Sequence, residues 1–191
     1  MRFVPPAGAD PYYEIHLFET GNVQTRAGNR HDLFNALCWL TFPRTKARIN
    51  ALHAAEMPRE GGRRGRLRDL LTIFDEGGAL VMCADDRLNA LIRECRWKEL
   101  FWEQRDGVRS AMRFVVLGHA VLEQALAPWP GITCKVLFAD PGRDPDAQAA
   151  DWLAPLPVFG YPGWLPDGDA AAFYDDARFF RPLRGSTSAA R

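Results

Sequence analysis

Pro43 restricts this chain more than any other residue, because it divides a continuous helical pattern running from His31 to about Met57. The residue before a proline avoids the helical region, so a first helix over His31–Phe42 ends there, and proline opens the next one well. A second helix then starts at Pro43 or Thr45 and runs to about Met57. If Phe42-Pro43-Arg44 is a tight turn between antiparallel helices, positions equally far from it come level, at about 1.5 Å of rise per residue. Asn35 then lies near Asn50, and His31 lies within a turn of His53. Lys46, Asn50 and His53 share one stripe through their i, i+4, i+7 spacing.

These polar groups, with Asp32, stand among Leu, Phe and Trp, where burial is costly unless a partner, a ligand or a solvent-filled pocket satisfies them. A purely architectural reading competes. In it, Asn29 or Asp32 caps the first helix, Asn35 pairs with Asn50, and Lys46 lies in solvent. Further along, His119 and Glu123 stand at i, i+4 in an apolar stretch, so the carboxylate could hold the imidazole charged or fix its tautomer. Gly118 just before them allows a close neighbour. Clustered polar groups of this kind form the candidate site: His31, Asp32, Asn35, Lys46, Asn50, His53, His119 and Glu123. Imidazole with carboxylate suits a divalent metal or acid-base chemistry, although no zinc spacing such as H-E-x-x-H is present.

The remaining segments predict an α+β fold. Tyr12–Phe18 is rich in aromatic and β-branched residues and, through Thr20-Gly21-Asn22, reads as a hairpin with Val23–Thr25. Gly77-Gly78 between the apolar runs Leu70–Phe74 and Ala79–Cys83 reads as a second hairpin, with Asp75-Glu76 at its tip. Asp85 or Asp86 caps a helix bearing Leu88, Leu91, Ile92 and Cys95, and Trp97–Trp102 continues the helical pattern. Met112–Leu126 reads as a central helix, with Phe114-Val115-Val116 as an alternative strand. Thr133–Phe138 is a strand. Pro58–Arg66, with three glycines and four arginines, is an exposed loop. From Asp140 onward, prolines, glycines and aromatic rings predict an irregular wrap over the body of the domain, and residues 185–191 a disordered tail. The whole is one domain over residues 1–184: packed helices, short antiparallel hairpins and an aromatic, proline-rich C-terminal wrap.

Composition narrows the functional classes. With 24 basic and 24 acidic groups the formal charge is zero, which disfavours a nucleic-acid surface, and the arginine loop is more simply solvated than bound to phosphate. The four cysteines are scattered in apolar segments and read as reduced thiols. No secretory leader is evident at Met1–Pro6, and no run approaches the roughly 18 apolar residues of a membrane span, which points to the cytoplasm. No phosphate-binding glycine loop, serine nucleophile elbow or dinucleotide fingerprint occurs.

Several motifs nevertheless stand in a recognisable order: HDLFNALCWLTFPRTK from His31, LTIFDEGG from Leu71, WKELFW from Trp97, RFVVLGHAVLE from Arg113, PVFGYPGW from Pro157 and FYDDARFFRP from Phe173. Over about residues 12–184 the chain resembles the bacterial domain of unknown function 3025. That resemblance implies identity but no activity. From the residues themselves, two functions are expected. One is a small hydrolase, metal-assisted or acid-base, in which Lys46 attracts an anionic substrate. The other is a non-enzymatic module holding a small anion, a nucleotide or a partner protein, suggested by Arg44, Lys46 and the arginine loop.

Overall fold

The computed structural model describes residues 1–6, 8, 13–60, 64–139, 141, 142, 144, 146 and 154–183. Two helices flank Pro43 as the sequence predicts: α2 over Arg30–Thr41 and α3 over Pro43–Glu56. Asn29, not Asp32, caps α2, its side chain accepting from the Asp32 amide at 2.9 Å. α3 receives no side-chain cap from Phe42; instead the Asp146 carboxylate accepts from the Arg44 and Thr45 amides at 2.9 and 2.6 Å. A carboxylate there satisfies orphan donors and complements the helix dipole.

The first expected hairpin is absent. Tyr13–Thr20 forms a helix, α1, preceded by strand β1 at Arg2–Val4 and followed by β2 at Asn22–Gln24, which pairs parallel with β1. Gly21, at φ +68°, donates to the Leu17 carbonyl at 2.9 Å, so it terminates a helix where a hairpin turn was expected. Burial overrides the strand propensity of the aromatic residues, because Leu17 packs with Val23 and Trp39 in a small core to which Tyr13 adds its ring. Tyr12 lies outside the described residues.

The second expected hairpin is also absent, replaced by helix α4 at Arg66–Gly77 running directly into β3 at Gly78–Met82. Leu71 and Phe74 are buried at helical spacing, and Gly78 is required because a Cβ there would come within 2.3 Å of the Phe74 carbonyl and 2.4 Å of its ring. α5 follows at Asp86–Arg93, with Asp85 as its cap, then a π-helical turn at Glu99–Glu103 and α6 at Arg105–Ala111. The stretch read as a central helix divides into β4 at Arg113–Val116 and α7 at His119–Gln124, because Phe114 and Val115 pair with Val81 and Leu80. β5 at Thr133–Ala139 is the expected strand, while β6 at Ala154–Pro157 begins the C-terminal wrap as an edge strand.

These strands make a mixed sheet in the order β4-β3-β5-β6, with β3 and β5 parallel and both outer pairs antiparallel. Both faces are covered, which is why the β3 sequence GALVM is apolar throughout. Ala79, Val81, Cys134 and Val136 face the larger core with α5, Phe101, Tyr174 and Phe180. Leu80, Met82 and Leu137 face Phe74, Leu117 and Ile49 on the other side. Past β6 the wrap consists of short 3-10 turns, and Tyr174 donates to the Gly160 and Gly168 carbonyls, both at 3.1 Å. Residues 185–191, 61–63 and 151–153 lie outside the described residues, so the tail, the centre of the arginine loop and Trp152 are not placed. Among the described residues no helix is long and apolar enough to cross a membrane.

The strap between β4 and α7 fixes the geometry of the helical side. Leu117 and Gly118 both donate to the Gly78 carbonyl, at 3.0 and 2.8 Å, and a Cβ on Gly118 would meet Glu76 O, Gly78 N and Gly77 Cα at 2.5–2.7 Å. Backbone atoms cannot swing aside. Gly118→Ala is therefore expected to lose about 1–3 kcal/mol, while Gly77→Ala, with nothing within 4 Å of its Cβ position, gains about 0.4–1 kcal/mol. Urea unfolding of both variants measures the opposite signs.

Candidate functional site

A polar cleft of about 510 Å³ opens between α1, α2, α3, the end of α4 and the start of α7. Its lining includes His31, Asp32, Asn35, Lys46, Asn50, His53 and His119; Glu123 stands beside it, against His31. The structure thus brings the residues singled out in the sequence around one cavity. Their partners, however, differ from the simple antiparallel count.

His119 begins α7 and is 4 % exposed. Its Nδ1 donates to the Asp75 carbonyl at 2.8 Å, a bond set by the close approach of Gly118 to the end of α4. A carbonyl only accepts, so the proton is on Nδ1 and Nε2 points into the cleft. There it meets His31 Nε2 at 3.1 Å, with the two rings steeply inclined at 66°. His31 in turn places Nδ1 at 3.3 Å from Glu123 Oε2, an acceptor one turn along α7 from His119. Burial pushes the His119 imidazole below its ordinary pKa, countered in part by Asp75. The i, i+4 spacing of His119 and Glu123 therefore makes them flank a third residue, His31; they do not pair with each other.

Lys46 is buried on α3 and donates to Asn35 Oδ1 at 2.8 Å and to Asp75 Oδ1 at 2.5 Å, beneath the Trp39 ring at 5.6 Å from its centroid. Its long stem reaches back toward the start of α2, so Asn35 meets Lys46, not Asn50. Asn50 donates instead to the backbone and side-chain oxygens of Glu14, each at 2.8 Å. Glu14 is on α1, which packs against α3 where no helix was expected. His53, 2 % exposed, takes an Arg68 Nε–H at 3.3 Å on its Nδ1, far in partnership from His31; burial holds its pKa down. Asp32 receives Arg26 twice through the guanidinium and once through the backbone amide, all at 2.8 Å, and these bonds hold its carboxyl below the usual carboxylate range.

Sequence reasoning missed Tyr13, Glu14 and Arg26 and gave Asp75 and Glu76 to a hairpin tip. Tyr13 lines the cleft with its hydroxyl pushed up to about 12, first by burial and then by Glu14, so it keeps its proton. The signal for Asp75 was the helical spacing of Leu71 and Phe74, masked by the Gly-Gly pair. Four carboxylates, Glu14, Asp32, Asp75 and Glu76, line the cleft against three cations, Arg26, Lys46 and Arg64. The cations are each engaged: Arg26 by Asp32, Lys46 by Asp75 and Arg64 by Asp69. Among the described residues no group of three or more His, Cys, Asp or Glu side chains is arranged to hold a metal ion.

An α+β fold carrying a histidine-lined cleft is the class of protein these features define. The family model described as "Protein of unknown function (DUF3025)" matches residues 1–152 and 142–184, and the chain belongs to that family. No curated protein and no solved structure matches it.

The Lys46–Asp75 pair, with side chains 6 % and 22 % exposed, holds α3 to α4. Asp75→Ala strands a buried ammonium with one neutral partner and is expected to destabilise by about 3–5 kcal/mol. Replacing both partners by Lys46→Met with Asp75→Leu recovers most of that loss. Denaturant unfolding of the two variants checks the difference.

Proposed function

We propose that the cleft is the active site of a small hydrolase in which a water molecule is activated at the Nε2 atoms of His31 and His119. The observation that carries this reading is their 3.1 Å separation at the cleft wall, each ring anchored through its other nitrogen. Anchoring by a carbonyl and a carboxylate fixes the tautomer and orientation of each ring before substrate arrives. Glu123 compensates the positive charge that develops when the pair takes a proton from water.

The cleft volume suits a small molecule, and its polar lining suits a polar ester or phosphoester. Lys46 does not serve as a free anion attractor in this reading, because Asp75 already neutralises it. It acts at a distance, by holding the segment whose carbonyl orients His119. The competing anion-binding module is less favoured in this reading, since Arg44, Lys46 and the loop residues Arg59, Arg64 and Arg68 are each paired with a carboxylate. The four buried, free cysteines support a reducing, cytoplasmic setting.

A panel of chromogenic esters and phosphoesters, run on protein purified without a histidine tag, tests the proposal. Turnover is expected, and His31→Ala and His119→Ala should each lower kcat/KM by at least about 100-fold. Turnover that survives both substitutions removes the pair from the chemistry, and no turnover across the panel overturns the hydrolase.

A further inference from the structure

We propose that a second cavity, past the carboxyl end of β3, binds a small phosphate monoester that carries a planar aromatic ring, as a nucleoside monophosphate does. This site is independent of the histidine cleft. Asp75 and Glu76 of the cleft precede β3, whereas Met82 of the second cavity ends it.

The cavity measures about 520 Å³, a size that suits a small molecule. Arg109 reaches it from α6, Arg113 and Phe114 from β4, Pro141 from the turn after β5, and Tyr161 and Trp164 from the C-terminal wrap. β3 and β5 run parallel and both end here, with Met82 beside Ala139. Space beyond the carboxyl ends of parallel strands is where open α/β sheets hold ligands.

The charge of this cavity is one-sided, for no carboxylate is among its lining residues although the chain carries 24 acidic groups. Arg105 is held by Asp169 at 2.8 Å, but Arg109, one turn further along α6, has no ion pair or hydrogen bond among the described residues. Arg113 meets only the Met82 thioether sulfur, at 3.0 Å, a weak acceptor without charge. Met112 between them is buried and fixes the passage from α6 to β4, so the two guanidiniums arrive at one cavity. Two unpaired guanidiniums match a phosphate dianion, whose oxygens their planar forks bind in pairs.

Exposed arginines alone would be ordinary; the aromatic wall beside them is what defines a ligand. Tyr161-Pro162-Gly163-Trp164 is a tight turn in which the Trp164 amide donates to the Tyr161 carbonyl at 3.1 Å, and Gly163 supplies the required positive φ, +91°. The turn sets the Tyr161 and Trp164 rings 5.1 Å apart, with Phe114 against Tyr161 at 5.2 Å and Phe159 against Trp164 at 6.0 Å. Trp164 is thus held by its neighbours, yet it stays 41 % exposed. Such a ring is a stacking surface for a planar ligand. Arg109 adjoins the same turn, since a Cβ on Gly163 would come within 3.4 Å of its Nη2. Charge and stacking surface therefore lie side by side, as phosphate and ring do in one small molecule. The zero formal charge of the chain disfavours a polynucleotide in this place.

Full-length protein titrated calorimetrically with adenosine monophosphate, and in parallel with adenosine and with inorganic phosphate, provides the test. The monophosphate should saturate at one equivalent and bind at least about 10-fold more tightly than either fragment. Arg109→Gln and Arg113→Gln should each weaken it about 10-fold. Trp164→Ala should weaken it at least about 5-fold, while Trp164→Phe retains most of the affinity. All three side chains are exposed, so the urea midpoints of these variants should stay at the wild-type value. Arg48→Gln, at an exposed arginine on α3 outside the cavity, should change nothing. Affinity no greater than that of inorganic phosphate, or a loss that Arg48→Gln reproduces, overturns the site. Binding that His31→Ala removes and Arg113→Gln leaves intact puts the nucleotide in the histidine cleft and overturns it as well.

Discussion

The close backbone approach of Gly118 to the junction of α4 and β3 is the constraint on which the rest of the helical side depends. Two amides converge on the Gly78 carbonyl, and no side-chain atom fits between the segments. From that contact the Asp75 carbonyl takes His119, the Asp75 carboxylate takes Lys46, and Lys46 takes Asn35. One short segment, Asp75–Gly78, thereby ties α2, α3, α4 and α7 together. His31 and Glu123 complete the chain of contacts from the outer side.

The two faces of the sheet divide the work. The larger core, with Ile92, Phe101, Val136, Leu156 and Tyr174, is apolar and closed by the C-terminal wrap. It supplies burial without chemistry-bearing groups other than inert thiols, such as Cys134, whose pKa burial pushes up to about 12. The opposite face carries a smaller core of Phe74, Leu80, Met82, Leu117 and Leu137, and on it stand the helices that line the cleft. A rigid, doubly covered sheet is a suitable platform for polar groups that must be held in fixed geometry.

Inside the cleft the charges are mostly paired with one another. Carboxylates neutralise Arg26, Lys46 and Arg64, which limits the desolvation cost of holding them at the cleft. Beside these pairs the cavity wall carries His31 and His119, whose Nε2 atoms lie 3.1 Å apart.

How much of this was legible in the sequence follows from the range of each interaction. The helices around Pro43, the stripe of Lys46, Asn50 and His53, the i, i+4 spacing of His119 with Glu123, the Asp85 cap and strand β5 are all local, set by periodicity, capping and proline stereochemistry. Those signals were sufficient to single out the polar residues now found around one cleft. Tertiary structure alone decided their partners. Tyr13–Thr20 is a helix because burial of Leu17 outweighs its strand propensity, and that helix delivers Glu14 to Asn50. Gly77-Gly78 ends a helix because two backbone segments must touch there, which places Asp75 inside where a hairpin tip would have left it outside. Local pattern determined which side chains could share a face; long-range packing decided which of them meet, because contacts between residues 29 to 92 positions apart leave no periodic trace in the chain.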